Sequence, residues 1–211
     1  MSGCSFDVNC VACPRLSQFL ADLRIQYPDY HNLPVAPFGA DQAHLLVVGL
    51  APGMHGANAS ARAFTGDDSG VMLYETLHKY GFASKPVSVS ADDDLELIDC
   101  CITNAVKCLP PQNKPVTAEV KACNHFLVNE INGLPSGAVL VALGSIAHDA
   151  ILRARQLKKK EYKFAHHARH DLGNGLTLID SYHCSRYNTQ TKRLTTAMFE
   201  AVFATAREIL G

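Results

Sequence analysis

The sequence predicts an α/β protein, a three-layer sandwich with a central, mainly parallel four-stranded sheet and helices on both faces. Three observations lead there. Short, near-continuous apolar runs recur along the chain, as expected of strands buried on both faces of a sheet. Each run is followed by a longer segment with helix start signals, and Pro and Gly fall between segments as punctuation, with no internal repeat. Strands that alternate with helices need right-handed crossovers, which build a parallel sheet.

In chain order, a helix is predicted around Pro14 to Gln26, with Pro14 in the first turn, where its missing N–H costs nothing. Residues 43 to 50 (Ala-His-Leu-Leu-Val-Val-Gly-Leu) form the first strand, and Ser69 to Tyr80 a helix. Cys101 to Val106 is the second strand, and Thr117 can cap a helix running to about Asn132, with Glu119 among its first acidic residues. Ala138 to Leu143 is the third strand and Ser145 to Arg155 its helix. Leu176 to Asp180 is the fourth strand, and Thr195 to Leu210 closes the chain as a helix.

With 211 residues, 47% of them hydrophobic and 18% charged, the chain can bury one sizeable core and is expected to form a single domain. No apolar run approaches the roughly 18 to 20 residues that span a bilayer. The first residues also lack the basic and apolar regions of a secretory signal, so a soluble, cytoplasmic protein with no membrane partner is expected. In a reducing compartment the eight cysteines read as metal ligands or core residues rather than disulfides. A net charge of −1 gives no global sign of a polyanionic partner. The charge is uneven, however. Residues 92 to 99 are acidic, while 153 to 170 carry Lys158, Lys159, Lys160 and Arg169 among other basic residues, either a phosphate-gripping face or a solvated loop.

Ligands in such folds bind beyond the carboxyl ends of the strands. Here those ends are Gly49 to Gly53, Asn104, Gly144-Ser145 and Ser181 to Asn188. The first continues into a glycine-rich loop (Gly49-Leu50-Ala51-Pro52-Gly53, His55-Gly56-Ala57-Asn58, Phe64-Thr65-Gly66-Asp67) that lacks the Gly-Lys-Ser/Thr of a phosphate-binding P-loop and the GxGxxG of a dinucleotide site. The last reads Ser181-Tyr182-His183-Cys184-Ser185-Arg186-Tyr187-Asn188, then Thr189-Gln190-Thr191 and Arg193-Leu194.

Together these motifs resemble the uracil-DNA glycosylase superfamily, and within it family 5, the type B enzymes. The resemblance runs from Cys10 to Leu194 and departs at Cys184, where proline is usual. It implies removal of uracil, and of other deaminated bases such as hypoxanthine and xanthine, from DNA, by a monomer that flips the base into a pocket. The Gly49, Leu50, Ala51, Pro52 and Gly53 turn would contact the base with backbone amides. Phe64 would stack on it, and Asn104 would bond its Watson-Crick edge. His183 would donate to the departing base's O2. Ser185 and Asn188 complete the second motif, with Arg186 or Tyr187 filling the gap left by the flipped base. Gly53 stands where other members carry a tyrosine that excludes thymine's methyl, which implies broader substrates. Leu50 and Ala51 cannot orient a water, so Asp67, the nearest motif-borne carboxylate, is the candidate for that role; helix capping is its alternative, and Asp68 could fill either position.

The resemblance also implies a 4Fe-4S cluster on Cys10-x2-Cys13 with Cys108 and Cys123. The residue types alone leave iron-sulfur and zinc both open. Cys100 and Cys101 read as packing residues, and Cys4 and Cys184 have no assigned role. The competing function is a non-catalytic iron-sulfur or zinc protein that binds nucleic acid through residues 153 to 170.

Overall fold

The computed structural model describes residues 6–211, so Cys4 lies outside the described part. Helix α1 (Pro14–Gln26) precedes a short edge strand β1 (Phe38–Gly39) and the central strand β2 (Leu45–Gly49). A one-turn helix α2 (Ala57–Ser60) and helix α3 (Asp68–Lys79) follow, then β3 (Cys100–Asn104), α4 (Thr117–Asn132), β4 (Val139–Leu143) and α5 (Ser145–Ala154). The chain finishes with β5 (Arg169–Asp171), β6 (Thr177–Ser181), the short α6 (Arg186–Gln190) and α7 (Thr196–Leu210).

The sheet has six strands in the order β1-β3-β2-β4-β6-β5, which corrects the expected four. The four predicted strands form its parallel centre, and the two additions are antiparallel edges of two and three residues. Neither edge carries an apolar run, because an edge strand faces solvent and has no continuous core to fill. Arg169 therefore belongs to an edge strand, not to a loop.

Alternate side chains of the central strands supply two cores. Leu45, Val47, Ile102, Val141 and Ile179 pack against Leu73 and Leu77 of α3 and Phe199 and Phe203 of α7. Leu46, Val48, Leu140, Ala142 and Leu178 pack against Leu127 and Ile131 of α4 and Ala147 and Ile151 of α5. This period-two division places helices on both faces, as predicted. A third cluster sets Leu16, Leu20 and Leu23 of α1 against Val106, Cys108 and Leu109, just past β3.

Thr117 is the first helical residue of α4 rather than its cap. Glu119 reaches back instead, its Oε2 accepting from the Val116 backbone N–H at 2.8 Å. The acidic stretch near residue 93 works structurally. Asp93 pairs with the buried Arg62 and accepts from the backbone N–H groups of Val89, Ser90 and Leu95. No helix among the described residues is long and apolar enough to cross a membrane.

Candidate active site

From β2 the chain goes to β3 on one side and then crosses to β4 on the other, which opens a crevice at the carboxyl ends of these strands. A cleft of about 610 Å³ lies there, and its lining includes Leu50, Ala51, Gly53, Phe64, Asp67, Asn104, Gly144, His183, Ser185 and Arg186. Residues far apart in sequence thus meet at one opening.

Its floor is built around Gly49. A Cβ there would lie 2.3 Å from Asn104 Oδ1 and 2.7 Å from the Phe64 ring, so glycine is what lets both side chains occupy their places. Phe64 itself has φ of 57°, a left-handed conformation that costs a phenylalanine energy and is held by its surroundings. Gly70 contributes to that hold, since a Cβ on it would collide with the Phe64 carbonyl at 1.7 Å. Asn104 Oδ1 is buried with no hydrogen-bond partner, an acceptor at the cleft floor that a ligand N–H would satisfy. Gly49 and Pro52, expected to contact the base, are buried and do not line the cleft.

His183 comes from the loop after β6. Its ring lies 6.1 Å from that of Phe64 with planes 26° apart, so a flat group resting on Phe64 can meet an in-plane N–H of the imidazole. Burial pushes its pKa down to about 4, and its Nδ1 has no partner. At neutral pH the ring is therefore neutral and can donate one hydrogen bond without bringing a charge. Asn188, expected in the site, instead holds its shape: its Nδ2 donates to the His183 carbonyl at 2.8 Å. Cys184 is fully buried, with its Sγ facing the Ser69 carbonyl at 3.4 Å, so its thiol fixes the loop where proline would otherwise constrain it.

Asp67 proves to be both cap and site residue. Oδ1 accepts from the Gly70 N–H at 3.0 Å and caps α3, while Oδ2 lies 3.2 Å from where a Gly53 Cβ would sit. Burial raises its pKa above the ordinary aspartate value, against the lowering effect of the capping hydrogen bonds. Asp68 sits at the rim, 3.6 Å from the Arg186 guanidinium, with both side chains largely exposed.

Tyr187 is 70% exposed beside the opening and free to meet a large partner. Lys158, Lys159, Lys160 and Arg169 are exposed but do not line the cleft, and Lys159 is paired with Asp149 on α5. The sequence reading left out His55, Asn113 and Ile146, which do line it. His55 belongs to the first motif and could have been found there; its Nδ1 lies 3.0 Å from the Tyr30 hydroxyl. Asn113 follows a proline pair and has φ of 56°, a placement without a sequence signal.

The predicted cysteine quartet also assembles. Cys10, Cys13, Cys108 and Cys123 line one small apolar cavity with Leu16, Pro34, Val106 and Phe126. Burial, with added repulsion from Cys123, Cys10 and Cys13, pushes the Cys108 thiol up to about 12; this is the electrostatics of a site suited to a cation. The Lys107 backbone N–H points at Cys123 Sγ at 3.3 Å. Among the described residues, no three of these sulfurs lie within 4.8 Å of one another. Arg15, next to Cys13-Pro14, forks onto Glu119 with two 2.8 Å bonds and reaches the Lys114 carbonyl, which ties this corner to α4.

Residues 36–207 match the family model of the uracil DNA glycosylase superfamily. The chain is 43% identical to the type-5 uracil-DNA glycosylase of Thermus thermophilus over 207 residues, covering 96% of this chain and 94% of that protein. It is 38% identical to the type-5 uracil-DNA glycosylase of Mycobacterium leprae, covering 96% and 92%. Identity to that of Pyrobaculum aerophilum is also 38%, covering 97% and 90%.

Proposed function

The chain belongs to the uracil DNA glycosylase superfamily, and we infer that it is a monofunctional hydrolase that removes uracil from DNA, a first step of base-excision repair. The observation that carries this reading is the convergence of the Phe64 face, the unpartnered Asn104 amide and the neutral His183 imidazole in one cleft. A flipped base laid on Phe64 offers its edge to Asn104 and a carbonyl oxygen to His183. As the C1′–N bond breaks, its electron pair moves onto the base and negative charge grows on that oxygen. A neutral donor there strengthens its hydrogen bond as the charge develops. Water adds to the cationic sugar carbon and gives up a proton to solvent, and the released base anion takes one up from solvent. Asp67, with Oδ2 left over from capping, orients that water and stabilises the sugar.

We further propose that hypoxanthine and xanthine are substrates. Gly53 supports this: a Cβ there meets only Asp67, so glycine keeps the cleft open on the side where a blocking side chain would stand. Arg186 and Tyr187 fill the duplex gap, and the protein acts as a monomer. Cys10, Cys13, Cys108 and Cys123 would hold a 4Fe-4S cluster, whose contribution is to cross-link α1 to α4 and the segment after β3. The shared cavity and the backbone N–H on Cys123 support this assignment.

Release of free base from single-turnover reactions on uracil, hypoxanthine, xanthine and thymine duplexes tests the activity and its range. No release from the uracil duplex would return the chain to the competing role of a nucleic-acid-binding metalloprotein. Iron with broad visible absorption is expected from purified protein; stoichiometric zinc without iron would overturn the cluster.

A further inference from the structure

Outside the cleft, two imidazoles converge on one buried carboxylate. His148 Nδ1 lies 2.7 Å from Asp180 Oδ1, and His170 Nε2 lies 3.0 Å from Asp180 Oδ2. His148 and Asp180 are completely buried. The other ring nitrogen of His148, Nε2, faces the Tyr162 carbonyl at 3.1 Å. A carbonyl only accepts, so Nε2 carries a proton. A carboxylate oxygen facing Nδ1 at such a distance needs a positive centre between the two, and 2.7 Å leaves room for a proton. A metal ion would hold its nitrogen and oxygen ligands about 3.3 Å apart. With that proton on the imidazole, His148 is an imidazolium with both nitrogens satisfied, while the second carboxylate oxygen is met by His170.

The groups facing His148 agree. Burial alone would lower its pKa, but the hydrogen bond and charge of Asp180, together with Asp149, outweigh burial and raise it. His170 of β5 stands 5.5 Å away, ring to ring, and Phe164 meets the imidazole edge-on at 5.6 Å. α4 packs on α5 with the neutral Asn124, whose Nδ2 donates to the Ala150 carbonyl, and with Leu127 and Ile131. The nearby cation Lys159 is already paired with Asp149.

The position gives this group a task. The His148 backbone N–H bonds the Gly144 carbonyl in the first turn of α5, and Gly144, Ser145 and Ile146 form one wall of the cleft. Gly144 N–H in turn donates to the Ser181 carbonyl at 2.8 Å, directly after Asp180 and just before His183.

We propose that His148, Asp180 and His170 form a proton-dependent latch that holds the α5 wall of the cleft against the strand leading to His183, with His148 as the positioning residue that titrates. Loss of one proton leaves a buried nitrogen lone pair facing an acceptor, either the Asp180 carboxylate or the Tyr162 carbonyl. The latch then opens, and the cleft loses one wall. Its effect on base release rests on the glycosylase reading, whereas the proton itself does not.

Nitrogen NMR of the histidine rings in the full chain, assigned with His148→Gln, tests the proton. Both His148 nitrogens should be protonated at neutral pH, with a midpoint above the ordinary histidine value, and the melting temperature should fall as pH rises through that midpoint. In His148→Gln this alkaline fall should vanish. Where Asp180→Asn folds, it should lower the His148 midpoint, because the charge that holds the proton is gone. Single-turnover uracil release should show an alkaline limb at the same midpoint, absent from His148→Gln while the acid limb stays. A His148 ring carrying one proton at neutral pH, an alkaline limb unchanged in His148→Gln, or a stoichiometric metal lost on His170→Ala would each overturn the latch. Should no uracil be released at any pH, the glycosylase reading fails, and the NMR and melting data still decide the proton.

Discussion

His183 and His148 are both deeply buried, on either side of the same junction, yet they titrate in opposite directions. His183 has no carboxylate against its ring, and desolvation drives its pKa down to about 4. His148 suffers desolvation too, but Asp180, the Tyr162 carbonyl and Asp149 together outweigh it and the pKa rises. Burial sets the cost of charge, and a partner decides whether that cost is met. The cleft thus receives a neutral donor suited to growing negative charge, while the wall behind it is held by a charged one.

The sign follows for stability. The lowered pKa of His183 means that its contribution is lost as pH falls from the ordinary histidine value of 6.5 toward about 4. The raised pKa of His148 gives a contribution present below the unfolded value and lost as pH climbs through the folded one.

Asp180→Ala breaks the contrast most directly, by leaving His148, like His183, with no carboxylate against its ring. It should cost about 3 to 5 kcal/mol of stability, read by denaturant unfolding at neutral pH. His183→Ala acts on the other side. It should slow single-turnover release by about 2 to 4 kcal/mol of barrier while DNA affinity persists. Equal losses on every base together with a matching fall in melting temperature would show that His183 only supports its loop. Xanthine, which ionises easily, should suffer less than poorer leaving groups.

Asp67→Asn sharpens the comparison at a third buried group. Asn keeps the cap, and the raised carboxylate pKa means that the charged form is disfavoured in the fold as pH rises above the ordinary value. Release should slow about a hundredfold. Melting temperature at neutral pH should hold or rise slightly; unchanged activity would leave Asp67 a cap alone. The smallest effect concerns exposed charge. Replacing Lys158, Lys160 and Arg169 by Gln should flatten the dependence of log affinity on log salt by about 0.9 for each phosphate that is no longer neutralised. Lys159, already paired with Asp149, should contribute less. An unchanged slope would make these residues bystanders.

Much of the cleft was legible before the structure. Asn104 and His183 follow apolar strands, and Phe64 and Asp67 sit in a glycine-rich loop, so local pattern and topology sufficed to bring them together. Asn188 was misplaced because a motif says which residues recur, not whether an amide faces the ligand or the neighbouring backbone. The double role of Asp67 was open in sequence, since a cap and a water-orienting carboxylate require the same residue type. The two carboxylate oxygens separate the roles in space.

The sequence alone determined the four parallel strands, their helices and the edge where the site lies. Hydrophobic periodicity and helix start signals are local, and right-handed crossovers turn them into one topology. Only the tertiary structure decided the edge strands β1 and β5, which are too short and too exposed to leave an apolar pattern. It alone brought the four cysteines to one cavity. It also set one buried histidine beside a carboxylate and left the other without one. Those outcomes depend on distances between residues remote along the chain, and charge, unlike hydrophobicity, is governed by what stands within a few ångströms rather than by what stands nearby in sequence.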